Sequence, residues 1–455
     1  MKLKPSFVYV VFFLYRFGFL LAVIPLQRVI FEKLPPKIAI YIYRSDICAL
    51  FLLCVWAILS LHHIYAYTEN STIHIRKGIF IARELVFKKK TIHTTHLSQG
   101  IFLRFCKACK AEVFSSKASA SIYLKAKDCR QLLLKNGTSS FKNGLFSSII
   151  FSVSFSSSLT GLLSLVPLLR NIASILGEKQ TQSILSYADL WQAIGYTAAP
   201  PFLRIVSSLI FFSWATGAAV EFFRYYRLRL TRGYDSVLLE HGLIKHHTKK
   251  INKKAISALV KRQSILLYFS GLFTLEAYVS HSKQYKIPLL LASRKSRCQG
   301  IAKNLGFSCT DNFESIVKPH TSALWGYTWK PLLFISLLSL AFILTDTLTP
   351  FRTEPHLALF LTLWGVVWFM FSTVAHSRSA LLCKNDSILI RSTRGLSYIE
   401  AVIPSSKITC IRTTQNIFQK RKGLCHLYVH IPSSKRQYFL IRHIDKSKTA
   451  QLTKA

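Results

Sequence analysis

Acidic residues are scarce in this chain of 455 residues, with 19 Asp and Glu against 60 Lys and Arg and a formal net charge of +41. General acid–base pairs and Asp-rich cation sites need carboxylates close together, so the scarcity counts against both. Also missing are a Walker loop, a dinucleotide fingerprint, an HExxH helix and a nucleophile elbow. Ten cysteines are present, but no compact disulfide framework is expected from them. Cys48 and Cys54 lie inside apolar runs, and the others fall in basic segments expected in a reducing compartment. Cys106 and Cys109 form a CxxC, yet no second pair stands at zinc-site spacing. These absences predict a non-enzymatic protein with no cofactor, metal or catalytic residue.

What is abundant is apolar sequence, 51% of residues, gathered in long runs. Crossing a bilayer takes about 20 mostly apolar residues. Runs near that length occupy residues 7–31 (interrupted by Arg16), 46–65, 146–169, 203–223, 331–349 and 357–375. They predict six transmembrane helices in three hairpins. Between the third and fourth runs, Ile172, Ile175, Leu176 and Ile184 suggest an interfacial helix before Pro200-Pro201. The intervening stretches 65–143, 221–330 and 377–455 are strongly basic, so the positive-inside rule places all three, and both termini, in the cytoplasm. The expected location is a multi-pass cell (inner) membrane protein with an anionic inner leaflet beside it.

The basic stretches repeat one another at intervals of roughly 150–165 residues. One spacing recurs unchanged: Ile, six residues, Gln, one residue, Ile. It reads Ile92, Gln99, Ile101, then Ile256, Gln263, Ile265, then Ile408, Gln415, Ile417. Gly78 aligns with Gly242, each between two β-prone runs at a turn that tolerates positive φ. Each stretch ends in a helical-looking segment: Tyr123 to Leu134, Pro288 to Leu305 and Arg442 to Leu452. Short antiparallel strands closed by one late helix predict a small barrel or bent sandwich.

This order of helix hairpin, strand, Gly, strand, Gln segment and late helix resembles the bacterial pleckstrin-homology-like (bPH) membrane proteins of the YdbS/YdbT type. The threefold recurrence is similar to the three-module YdbT branch. Residues 226–292 carry the likeness most fully, with a Leu-Thr-Arg entry, a Gly hairpin, a basic turn and a Gln-Ser segment in the family's order. Lys4-Pro5-Ser6 and Lys318-Pro319-His320 also fit. Repeat three departs at Pro404, in a strand region, and at Ser392 to Leu396, where its turn is longer.

The resemblance implies an α+β membrane protein in which each hairpin is followed by a β-rich cytoplasmic PH-like domain with a C-terminal helix. The expected boundaries are 1–66, 144–223 and 329–376 for the hairpins, and 67–143, 224–328 and 377–455 for the PH-like domains. It implies binding of lipids, peptides or proteins and no reaction, with a membrane or envelope protein as partner, a shorter homologue among the candidates.

Binding residues are sought in the basic clusters Lys88, Lys89 and Lys90; Lys249, Lys250, Lys253 and Lys254; and Lys420, Arg421 and Lys422. Close to anionic lipid each such residue gains about 1 kcal/mol. A solvated face that only enforces topology is the plainer reading. Nucleic acid is not expected, because no DNA- or RNA-reading motif accompanies the charge. Glu112 and Glu276 recur at equivalent strand positions and read as surface or edge residues. His93, His96 and the doublet His246-His247 read as solvated, with His93 and His96 on opposite faces of a strand. The expected function is a membrane scaffold or adaptor. The alternative is a transporter or exporter component whose helix bundle is lined by Arg16 or Arg204.

Overall fold

The computed structural model describes residues 2–447 except 4, 17–35, 70–71, 80, 117, 134–136, 157–200, 281, 283–285, 308–314, 349–354, 385, 395–396 and 433–436. Its strands come in fours and threes, three times over. β1 (Lys2–Leu3), β2 (Tyr65–Glu69), β3 (Thr72–Lys77) and β4 (Arg83–Lys88) form a four-stranded sheet in sequence order. Then come β5 (Ile92–Gln99), β6 (Ala108–Ser115) and β7 (Ser119–Lys125), followed by β8 (Gly137–Lys142), β9 (Arg229–Gly233), β10 (Ser236–His241) and β11 (His246–Asn252). These seven share one sheet, ordered β7-β6-β5-β11-β10-β9-β8. The arrangement recurs with β12 (Ile256–Ser264), β13 (Phe273–Val279), β14 (Lys286–Ser293), β15 (Ser315–Val317), β16 (Ala380–Lys384), β17 (Ser387–Thr393) and β18 (Ser397–Pro404), ordered β14-β13-β12-β18-β17-β16-β15. β19 (Cys410–Thr414), β20 (Leu424–Ile431) and β21 (Gln437–Asp445) make the last three-stranded sheet. The joints between repeats are therefore strand pairings: β5 with β11, and β12 with β18.

The chain divides into two compact units. One holds Met1–Phe141 and Arg229–Ala255, the other Lys142–Leu228 and Ile256–Ala455. In the first, the sheet β1–β4 packs on β5–β7. Leu3, Ile73, Ile75 and Phe87 meet Leu97, Ala111, Val113 and Leu124 in one core. Alternation explains the choice, since Ile73 and Ile75 are two apart on β3 and so face the same side. A helix, Ala126–Leu133, follows β7 and is tied to β6 by a disulfide between buried Cys109 and Cys129. In the second unit, Leu381, Ile390 and Ala401 of β16–β18 pack against Leu427, Val429 and Ile441 of β20 and β21.

The expected six transmembrane helices in three hairpins are not borne out. Among the described residues one helical stretch, Thr321–Leu344, is long and apolar enough to cross a membrane, with mean hydropathy 1.6. The described apolar stretches Ile47–His62 and Leu145–Phe155 fall short of the about 20 residues a crossing takes. The helix Pro201–Tyr225 includes Arg204, Glu221 and Arg224. Residues 17–31 and 157–169 of the expected spans, Ile172, Ile175, Leu176 and Ile184 of the expected interfacial helix, and the side chains of Arg16 and Arg204 lie outside the described residues. Helices do pack in pairs: Val8–Arg16 with Pro36–His62, Leu145–Phe155 with Pro201–Tyr225, and Leu324–Leu348 with Pro355–Arg378. Each pair is inserted between the first and second strands of a four-stranded set. A short strand thus precedes each pair, and Lys-Pro follows two of these strands, after Leu3 and Val317.

The late helices start later than expected. Ser119–Lys125 and Lys286–Ser293 are strand, and the helices are Ala126–Leu133 and Lys295–Asn304. In repeat three Gln437–Asp445 is strand, and residues 448–455 lie outside the described ones. Pro404 is the last residue of β18, opposite Ser387, where a missing N–H is tolerated.

The recurring Gln has one structural task. Gln99 Nε2 donates to the Ala108 carbonyl (3.0 Å), Gln263 Nε2 to that of Leu272 (3.1 Å), and Gln415 Nε2 to that of Leu424 (2.8 Å). Each bond spans a one-turn helix, Ile101–Phe105, Ile265–Phe269 or Ile417–Arg421, which begins at the second Ile of the motif. Gly78 (φ +120°) and Gly242 (φ +106°) do adopt positive φ. A second set of positive-φ positions follows the one-turn helices: Lys107 (+47°), Gly271 (+65°) and Gly423 (+63°). Repeat one alone places a side chain there. A left-handed non-Gly residue costs roughly 1–2 kcal/mol, part of which Gly's extra unfolded-state entropy offsets. Lys107→Gly is expected to raise the stability of the first unit by up to about 1 kcal/mol, read from denaturant midpoints.

Candidate functional site

Strand pairing brings together two basic clusters that are far apart in sequence. Lys89 and Lys90 begin the turn between β4 and β5, and Lys250 and Lys254 lie on and just after β11. Pairing of β5 with β11 sets Thr95 opposite Lys250 and Thr94 opposite Ile251. The result is an open cleft of about 760 Å³ in the first unit, lined by these four lysines with His93 and a single carboxylate, Asp235.

The charges in this cleft are poorly balanced. No ion pair forms to Lys89, Lys90 or Lys254 among the described residues. Half-buried Lys250 is held below the usual ammonium range, by desolvation first and then by repulsion from Lys89. A bound anion would relieve both. Its lining offers several ammonium groups and one carboxylate, which makes it a candidate anion site.

The other expected binding residues lie elsewhere. Lys88 is an exposed residue ending β4. Lys253 donates to the Tyr234 carbonyl, and Lys249 is buried opposite His96. Lys420, Arg421 and Lys422 are exposed at the end of a one-turn helix in the second unit.

Beside the cleft is a polar cluster that the sequence misjudged. His96 Nε2 lies 2.9 Å from His247 Nδ1, and its Nδ1 lies 3.4 Å from Glu112, which also pairs with Lys110 at 2.7 Å. The ring of buried His241 stands against that of His247, 5.2 Å between centroids. Glu112, His96 and His247 are not solvated edge residues, because the strands that carry them, β6, β5 and β11, each have a strand on both sides. Glu276, the equivalent of Glu112, is also buried (3% exposed), with Lys286 at 3.1 Å and Arg262 at 4.0 Å. His93 lines the cleft while His96 joins the cluster, as expected for opposite faces of β5. Among the described residues no group of His, Cys, Asp and Glu could hold a metal ion.

The cluster predicts how the first unit responds to acid. The hydrogen bond from His96, then that from Lys110, outweighs burial and lowers Glu112 to about 2. Burial lowers His96 from its ordinary 6.5, with the Lys249 charge adding to it and Glu112 opposing. Both groups bind fewer protons folded than unfolded, so both stabilise the fold at high pH. The His96 contribution is complete above 6.5 and fades as pH falls toward its folded value, and the Glu112 contribution fades between 4.5 and about 2. Thermal midpoints should fall from pH 7 to pH 5, with a slope of at most about 1.4 kcal/mol per pH unit per group. His96→Gln should flatten that part of the profile.

These features carry a family likeness. Residues 17–133 match the bacterial PH domain family. The match to the bacterial PH domain covers β2–β7 and the closing helix Ala126–Leu133, the same stretch that packs two sheets around one core. No curated protein matches the chain. Solved structures that it matches include the DNA polymerase sliding clamp of Pseudomonas aeruginosa, at 8% identity over 76% of this chain and 92% of the clamp, with a TM-score of 0.13. The β sliding clamp of C. crescentus matches at 9% identity over 51% of this chain and 73% of that one, TM-score 0.12. Scores this low establish no shared fold, so the bacterial PH domain remains the likeness that bears on the site.

Proposed function

We propose that this chain is a non-enzymatic scaffold of the YdbS/YdbT type, whose three PH-like modules bind anionic lipid headgroups or partner proteins at the cytoplasmic face of a cell membrane. The observation that carries the reading is the cleft of Lys89, Lys90, Lys250 and Lys254, assembled from two repeats and short of carboxylates. Its charge suits a surface rich in anionic lipid, where each lysine adds about 1 kcal/mol. The helical stretch Thr321–Leu344 offers a means of membrane attachment. Exposed Phe105 and Phe269, on equivalent one-turn helices, suit contact with a headgroup layer or an apolar partner.

The test is to crosslink the tagged full-length chain in its own membrane, solubilise it gently, and analyse co-purifying proteins and lipids from one sample. Selective enrichment of an anionic lipid, or a stoichiometric protein partner, is the expected result. Recovery of neither would overturn the proposal.

A further inference from the structure

A second cavity, of about 780 Å³, lies within the second unit and is amphipathic. One wall is apolar: Phe151, Val153 and Phe155 of the helix Leu145–Phe155, with Trp214 of its partner helix. Charged residues of both signs complete the lining, Arg262, Lys286 and Arg394 with Glu276 and Glu221, the last paired with Arg224 at 2.7 Å. Three buried polar atoms of this lining make no hydrogen bond among the described residues, one of them Glu276 Oε2, which has Lys286 Nζ at 3.1 Å. The other two are Ser154 Oγ and Arg262 Nε. Arg262 also stacks its guanidinium 4.6 Å from the Phe155 ring, which orients it against the apolar wall. Arg394 is exposed and makes no side-chain ion pair among the described residues.

An occupant that satisfies this cavity needs acceptor oxygens bearing negative charge at one end and a hydrocarbon body at the other. The apolar wall excludes a purely ionic ligand as the best fit, and the unbonded N–H and O–H groups exclude a pure hydrocarbon, since buried donors without partners are costly. The volume lies within the usual range for small-molecule sites. We propose that this cavity binds one phosphate-bearing amphiphile, with its phosphate between Arg262, Arg394 and Ser154 and its chain along Phe151, Phe155 and Trp214. The site is separate from the lysine cleft of the first unit and does not depend on that cleft's function.

The test uses the full-length protein in mild detergent and native mass spectrometry with three probes: dioctanoylphosphatidylglycerol, dioctanoylglycerol and inorganic phosphate. One phosphatidylglycerol per chain is the expected stoichiometry, with dioctanoylglycerol and phosphate each at least about tenfold weaker, the value of one charge-assisted hydrogen bond. Ser154→Trp fills the cavity and abolishes binding. Arg394→Gln, at an exposed position that leaves the fold intact, weakens it about tenfold, so the proposal stays testable if the first variant does not fold. Equal affinity for dioctanoylglycerol would reduce the site to an apolar groove. Equal affinity for free phosphate would make it an anion site without a lipid role. Unchanged binding in Arg394→Gln would likewise overturn the assignment.

Discussion

Replacing Lys89, Lys90, Lys250 and Lys254 together by Gln is expected to weaken binding to anionic membranes by about three orders of magnitude, at about 1 kcal/mol for each lysine. The four line one cleft with a single carboxylate among them, so their fields add on one bound group. The measurement is co-sedimentation of the full chain, held in phosphatidylcholine nanodiscs, with phosphatidylglycerol vesicles. Binding of the unaltered chain should fall steeply with salt, and the variant should be nearly salt-independent. Stability should not fall, because Lys89 and Lys250 repel each other in the free protein. A variant that binds as tightly as the parent would show that the lysines form only a solvated face.

Glu276→Ala is expected to destabilise the second unit by about 3–5 kcal/mol, the usual consequence of removing one partner from a buried charged pair. Glu276 sits on β13 with neighbours on both sides, opposite Val260 of β12 and Pro288 of β14. Its loss leaves Lys286 and Arg262 beside an apolar stretch without their counter-charge. Burial already lowers the Lys286 ammonium and Glu276 opposes that shift, so the variant's Lys286 should give up its proton more readily. The deficit should therefore shrink as pH rises toward 10.5, the ordinary lysine value. Removing Glu276 together with its nearer partner, as Glu276→Leu with Lys286→Met, should restore the part of the loss that comes from Lys286. Denaturant unfolding of the parent, Glu276→Leu, Lys286→Met and the double variant, a four-member mutant cycle, reads this coupling. A Glu276→Ala chain within 1 kcal/mol of the parent (roughly the spread of surface substitutions) would mean water reaches the pair.

Much of the repeat was legible in the residues. Gln99, Gln263 and Gln415 recur because a side-chain amide must bridge the ends of a one-turn helix, and that need fixes the spacing. Gly78 and Gly242 were legible for the same kind of reason, a backbone angle that disfavours other residues. The strands ahead of the helix pairs were not, because Lys2–Leu3 and Ser315–Val317 are too short to show alternation. Nor was the burial of His96, Glu112 and His247. Polar residues on a strand read as solvent-facing unless a neighbouring strand is known, and here that neighbour comes from the next repeat. The same long-range pairing assembled the lysine cleft, so its members were identifiable but their convergence was not. Cys109 and Cys129, 20 residues apart, likewise carry no local sign of pairing.

Joining repeats through strand pairs has a consequence during synthesis. His96 of β5 meets His247 of β11 across 151 residues. At ribosomal rates of about 5–20 residues per second, β5 waits roughly 8–30 s for the strand that completes its hydrogen bonding. Throughout that interval it presents an open edge, the kind of surface on which nascent chains adhere to one another. A chain stopped before β11 keeps that edge permanently. Fragments ending between residues 143 and 228 should therefore self-associate even with the first core intact, and the nascent protein has reason to engage a chaperone until its second basic stretch emerges.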